Sequence, residues 1–416
     1  MISSRTLPAA TSRPVDSHPA MPPVGTRLAS IDILRAITMV LMIFVNDLWT
    51  LRDIPAWLEH VSIETDGMGL ADTIFPAFLF IVGMSIPFAI ASRRGKGEDR
   101  IKILFHVAGR TLALLVMGLF FVNGESINTA VTGLDALSWY ALSCIAFILI
   151  WNAYPPTVPA WVKRTLRATG IAALLILAFI YRGGEGNDLV RFSTHWWGIL
   201  GLIGWSYLVS AFIAAFAGEK FSPIAGAWLA FCALSMLNSA GLVPDGFPFN
   251  FIPGPVMAGT FVAITLGGVL TGVVLRRLRQ QSGPVTLIVS LLLIAAGLLM
   301  LGFYTRTFWG ISKLKATPAW LFTCSALTII AFVAVYWLAD LRRKAHWFTP
   351  IKPAGTDTLL CYLMPYFAYA SISLLGIHWP DAMLTGALGL AKSFAFALLC
   401  VWGAGLLSKN GVHLKL

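Results

Sequence analysis

Between residues 46 and 72 the chain reads NDLWTLRDIPAWLEHVSIETDGMGLAD, which gathers Asn46, Asp47, Asp53, Glu59, His60, Glu64, Asp66 and Asp72 in one polar stretch. Imidazole is the side chain in that set that changes charge near neutrality, so His60 is the natural proton acceptor or nucleophile. A carboxylate such as Asp47 or Asp72 would orient the ring and stabilise an imidazolium. Asp72 also opens the apolar run ADTIFP, where a carboxylate caps a helix N-terminus and meets the positive end of its dipole. Both readings of Asp72 stay open at this point.

Two further groups carry chemistry. Arg191, His195 and Trp196 precede the apolar segment GILGLIGWSYL and could contact a sugar or phosphate from a membrane rim. The segment TRTFWGISKLKATP places Arg306, Lys313 and Lys315 together, which suits an anionic ligand or the acidic first loop. Lys392 lies inside an apolar run, and an ionisable residue there needs a partner, for which Asp357 is a candidate. The five cysteines sit in apolar context without CxxC spacing and read as small buried hydrophobes, with no metal site implied. Walker, GxSxG, HExxH and dinucleotide-binding signatures are missing from the sequence.

The elements that must position these groups follow from composition. With 57% hydrophobic and 12% charged residues and a mean hydropathy of +0.78, the chain departs from soluble domains, which run near 45–50% apolar and about 25% charged. Apolar runs of spanning length recur throughout, at 31–51, 70–92, 104–123, 134–153, 166–182, 195–217, 222–242, 251–275, 284–303, 318–340, 357–376 and 382–407. They are continuous rather than alternating, so the expected fold is all-α, a polytopic helical bundle of 11–12 spans. Residues 1–26, rich in Pro, Ser and Thr and without a cleavable signal sequence, are expected to be a disordered tail, and 27–416 the membrane domain. Pro76 and Pro87 around Gly83 predict a bent or locally opened second span.

Charge gives the orientation. Of the 30 Lys and Arg residues, all but seven fall on one side of this span pattern, which makes that side and both termini cytosolic. The net charge of +11 is then a topology signal, and nucleic-acid binding is not expected. The polar stretch around His60 lies on the opposite, trans side.

The block RLASIDILRAITMVLMIFVND, followed by EH some twelve residues before ADTIFPAFLFIVGMSI, resembles the heparan-alpha-glucosaminide N-acetyltransferase family, in particular its bacterial multi-pass members. RRGKG, RTLALLVMGLFFVN, HWWGILGLIGWSYL, ISKLKATPAWLF and a Gly-x-x-Leu-Lys end agree with it, and PAGTDTLLCYL is similar to the family's Pro-Gly-x-Asn-Ser-x-x-x-Tyr stretch. The resemblance implies acetyl transfer from cytosolic acetyl-CoA to an amino-sugar or glycan acceptor across the membrane. It puts the catalytic histidine on His60, the asparagine of the VN pair on Asn46 and the ADxxFP aspartate on Asp72. Two departures stand out: HVSIETDGMGLAD is longer than the family's His-x-x-Trp-x-Gly spacing and lacks its tryptophan, and Asp357-Thr358 replaces Asn-Ser.

Acetylating an amine fits these residues. An ammonium must lose a proton before it attacks a thioester, and His60 would take that proton or itself carry the acetyl group. Asn46 would hydrogen-bond the acyl oxygen as charge develops. The CoA phosphates would fall to the cytosolic basic loops or to Arg306, Lys313 and Lys315, and the acceptor to Arg191, His195 and Trp196. The expected setting is the lipid bilayer, the cytoplasmic membrane if the source is bacterial, with a homodimer left open. The alternatives are O-acetylation of an envelope polysaccharide and secondary transport.

Overall fold

A computed structural model describes residues 28–185, 188–243, 251–414 and 416; the expectation for residues 1–26 lies outside them. The described residues are helical, with isolated bridges in place of strands. Twelve longer helices follow in order: α1 Ala29–Asp47, α2 Leu70–Gly95, α3 Arg100–Glu125, α4 Ala136–Trp151, α5 Ala160–Ile180, α6 Ile199–Ala217, α7 Phe221–Ser239, α8 Thr260–Gln281, α9 Pro284–Trp309, α10 Pro318–Tyr336, α11 Thr358–Leu374 and α12 Gly386–Lys409. Each coincides with one apolar run of the sequence.

Among the described residues nine of these helices are long and apolar enough to cross a membrane, the architecture of a multi-pass membrane protein. That is fewer than the 11–12 expected. At 16 and 17 residues, α4 and α11 rise only about 24–26 Å against a hydrocarbon core of roughly 30 Å. Helix α5 starts earlier than its apolar run, at Ala160, and so adds Lys163 and Arg164 to the Arg167 already in it.

Helix α2 is the central element. It is continuous through Pro76 and Pro87, so the predicted opening does not occur. Gly83 serves packing instead: a Cβ there would overlap the Thr265 carbonyl of α8, and one at Gly268 would overlap the Phe80 carbonyl of α2. Small residues at both contact points let the two backbones approach closely, which is how helices gain association energy in lipid. Helix α1 packs against α2, α10, α11 and α12, which places its ends among the site-bearing segments. All five cysteines are buried.

Candidate active site

Pro76 shapes the start of α2. It has no N–H to give the carbonyl four residues earlier, so the Asp72 carbonyl lacks its intrahelical partner. The buried Trp320 of α10 supplies one, its Nε1–H donating to that oxygen at 3.0 Å. Helix α10 is capped by Thr317, whose hydroxyl accepts from Trp320 N–H and from Ser312 N–H. The first turns of α2 and α10 are thereby locked together, and the loop before α10 is drawn over the start of α2.

Asp72 sits at the third position of α2. Its Oδ2 accepts from the backbone N–H of Gly69 at 3.0 Å and of Val61 at 3.1 Å, and its Oδ1 takes His60 Nδ1 at 2.7 Å. The carboxylate side chain is 3% exposed and the imidazole 47%. Both sequence readings of Asp72 therefore hold at once: it closes the helix N-terminus and orients His60. A carboxylate on Nδ1 fixes the tautomer with that nitrogen as donor and leaves Nε2 free to accept a proton. Gly69 makes the arrangement possible, because a Cβ there would overlap the Glu59 carbonyl oxygen.

Lys313 enters the same cluster from the loop before α10. Its Nζ lies 3.2 Å from His60 Nδ1, 3.4 Å from Nε2 and 4.0 Å from Asp72 Oδ1. Being nearly equidistant from both ring nitrogens, the ammonium rests against the face of the ring, and the in-plane lone pair of Nε2 stays clear. Burial draws the Lys313 ammonium below the ordinary lysine range, opposed by the negative charge of Asp72.

A second clamp joins the same two loops. Asp66 accepts from Ile311 N–H at 2.6 Å and Arg306 Nε at 3.0 Å, and Gly67 N–H donates to the Ile311 carbonyl at 3.0 Å. These two donors, the backbone amide first, hold the Asp66 carboxyl below its usual range. Of the three cations grouped in the sequence, Arg306 and Lys313 are thus engaged by the acidic first loop. The Lys315 side chain is exposed.

Among the described residues the remaining sequence candidates make no hydrogen bond to this cluster. Asp47 does not orient His60. It is buried at 3% exposure and paired with Lys392 Nζ at 2.8 Å, with Tyr369 and Ser393 hydroxyls donating at 2.6 Å each. Lys392 therefore answers Asp47 and not Asp357, whose partners are His413, Ser408 and Thr356. Asn46, one residue before Asp47, is exposed at the end of α1. His195 bonds Ser193 and Trp196 packs on Trp205, while Arg191 is exposed; among the described residues none of the three hydrogen-bonds His60 or Asp72. Trp320 is not singled out by the sequence, and Asp66 stands there in the polar stretch without a role of its own. The proline four residues after Asp72 was the available signal for an orphaned carbonyl.

At the opposite end of α2 a cavity of about 500 Å³ opens among α1, α2, α3, α6 and the start of α11. Arg35, Arg93, His106 and Arg110 line it, together with Met39, Met42, Phe78, Val82 and Tyr207. Arg35 is held by Asp32, Ser85 and the Gly355 carbonyl, and Arg110 stacks 4.8 Å from the Tyr207 ring centroid. The cavity reaches Phe78, six residues from Asp72, or about 9 Å along the helix axis. A cationic mouth with an apolar interior of this size fits a ligand that joins phosphates to a neutral arm. Among the described residues no group of three or more His, Cys, Asp or Glu side chains is placed to hold a metal.

Comparison with known proteins adds the following. Residues 27–219, which include Asn46, His60 and Asp72 but not Lys313, match a family model described as a domain of unknown function, DUF5009. Human heparan-alpha-glucosaminide N-acetyltransferase is 34% identical over 108 residues, 25% of this chain and 14% of that protein. The mouse protein of the same name is 33% identical over 103 residues, 24% of this chain and again 14% of the relative. The matched stretch is thus about one seventh of the length of these curated relatives. Over that stretch the chain resembles heparan-alpha-glucosaminide N-acetyltransferases.

Proposed function

We propose that this protein is a membrane-bound acetyltransferase that uses acetyl-CoA and delivers the acetyl group to an amine, that of an amino sugar or glycan, on the face bearing His60. The observation that carries the reading is the His60–Asp72 pair: a half-exposed imidazole whose Nδ1 is held at 2.7 Å by a buried carboxylate, with Nε2 left open. Such a pair is what amine acylation requires of a protein. The likeness to curated N-acetyltransferases supports the choice of acyl transfer over other uses of a general base.

The cavity at the basic end supports a donor site. Arg35, Arg93 and Arg110 would hold the CoA phosphates, and the apolar lining at Met42 and Phe78 would receive the acyl-bearing arm. Phosphate binding by Arg306 and Lys313 is the weaker assignment, since neither lines that cavity. The lopsided Lys and Arg placement supports a cytosolic cavity and cytosolic termini, with the short α4 and α11 and the charged α5 completing the even number of crossings. Asn46 would share the acyl oxygen. Arg191, His195 and Trp196 remain candidates for an outer acceptor rim.

The test is His60→Ala in purified protein reconstituted in liposomes, with labelled acetyl-CoA on one side and glucosamine on the other. Acetyl transfer should fall at least about a hundredfold, the range for losing a general base, while acetyl-CoA binding by calorimetry is retained. Unchanged turnover removes His60 from the chemistry. Glucosamine flux without any acetylated product would make the protein a transporter.

A further inference from the structure

Lys313 has a place in the cluster that neither the loop motif nor the base reading requires. It comes from a distant part of the sequence, it is three-quarters buried, and its Nζ lies against the ring face 3.4 Å from Nε2. Four separate bonds put it there: Trp320 on the Asp72 carbonyl, Thr317 on Ser312, and Asp66 on Ile311 and Arg306. A flexible surface lysine needs no such scaffold. A cation fixed over the ring, with its protons not spent on either in-plane lone pair, is free to donate to whatever reacts at Nε2.

We propose that Lys313 is a catalytic residue, the hydrogen-bond donor that stabilises the oxyanion formed when an acyl group is transferred at His60. The proposal rests on the acetyltransfer reading and goes beyond it in assigning this role. The neutral acceptor amine attacks the thioester carbonyl carbon, forming the C–N bond, and the C=O π pair moves onto oxygen. The proton on the attacking nitrogen passes to His60 Nε2. The oxyanion re-forms the carbonyl, the C–S bond breaks, and the departing thiolate takes the proton back from Nε2. The products are the acetamide and CoA thiol, with no net proton change after the amine has been deprotonated. Throughout, the amine lies in the ring plane at Nε2, so the carbonyl it attacks can turn its oxygen to the ring face where Nζ sits, within reach of an N–H···O bond of ~2.7–3.2 Å. Partial burial keeps the charge from being quenched by water, which is what gives such a donor its effect.

The experiment compares Lys313→Met, Lys313→Arg and wild type in the same proteoliposome assay. Lys313→Met should lower kcat by roughly 10²–10³-fold, with the acetyl-CoA KM within about twofold of wild type, and Lys313→Arg should recover part of the loss because a cationic donor is restored. An unchanged kcat overturns the proposal, as does a raised acetyl-CoA KM with unchanged kcat, the mark of a phosphate ligand. Equal losses in both variants accompanied by equal falls in melting temperature also overturn it, since the role is then structural. Failure of the underlying reading is distinguishable: it appears as full activity in His60→Ala, whatever Lys313 does.

Discussion

Replacing Asp72 by Asn separates orientation from folding at the candidate site. The carboxylate uses one oxygen for two backbone donors, Gly69 and Val61 N–H, and the other for His60 Nδ1. An asparagine has one accepting oxygen and one donating NH₂. Turning the oxygen to the two backbone amides keeps both bonds and preserves the helix cap; the reverse would set NH₂ against two N–H groups and orphan both. The amide nitrogen then faces His60 Nδ1, which must become an acceptor, and the ring proton moves to Nε2. A base with its acceptor nitrogen protonated is of no use to the incoming amine. In a histidine–carboxylate pair of this kind the wrong tautomer costs on the order of 10³–10⁴ in kcat, about 4–5.5 kcal/mol of transition-state stabilisation at ~1.36 kcal/mol per decade. The assay is labelled acetyl transfer to glucosamine, with circular dichroism and thermal melting to confirm that the fold persists. Nitrogen-15 chemical shifts of His60 would report the tautomer directly. If Asp72→Asn keeps activity within about tenfold of wild type while the ring shows Nε2–H, tautomer control is not how this histidine works.

Two further outcomes follow from the same loops. Gly69→Ala should lower acetyl transfer by at least about tenfold through displacement of the Glu59–His60 backbone, because the added methyl overlaps the Glu59 carbonyl; acetyl-CoA binding by calorimetry should be unaffected, and a fully active variant would mean that the two strands of the loop move apart freely. The Asp66 clamp should be acid-sensitive: the Ile311 amide and Arg306 hold this carboxyl below the ordinary aspartate range, so its contribution is fully present above that range and is lost as pH falls through the lower value in the folded protein. The melting-temperature gap between wild type and Asp66→Asn should therefore be constant near neutrality and close in acid, and a gap that ignores pH would remove the ion pair from the loop's stability.

The sequence carried the helices further than it carried their partners. Twelve apolar runs became twelve helices because the length of an apolar run is a local property, and lipid leaves the backbone few ways to satisfy itself. The count of spanning helices was less legible. It depends on where each helix ends, and α5 extends past its apolar run to take in two more cations while α4 and α11 stop short. His60 and Asp72 were legible because they share one short stretch and one motif. The choice between Asp47 and Asp72 as the orienting carboxylate was not, since it turns on Lys392, more than three hundred residues away, claiming Asp47.

The cations near residue 310 show the same limit from the other side. As a triplet on the side where Lys and Arg are scarce, they look like a phosphate site. Folding places Arg306 on Asp66 and Lys313 on His60, so the positive charge is directed to the acidic loop, as one of the two sequence readings allowed. At the other end of α2, Arg35, Arg93 and Arg110 line one cavity from three helices, Arg35 also paired with Asp32 and Arg93 with Glu98. Local clustering in sequence and convergence in space are different quantities, and the second decides which ligand a site can hold. Here it sets a cationic pocket toward one end of α2 and an imidazole at the other, the apolar lining of the pocket reaching Phe78. That separation is what a reaction would need if its donor is charged and approaches from one face while its acceptor waits on the other.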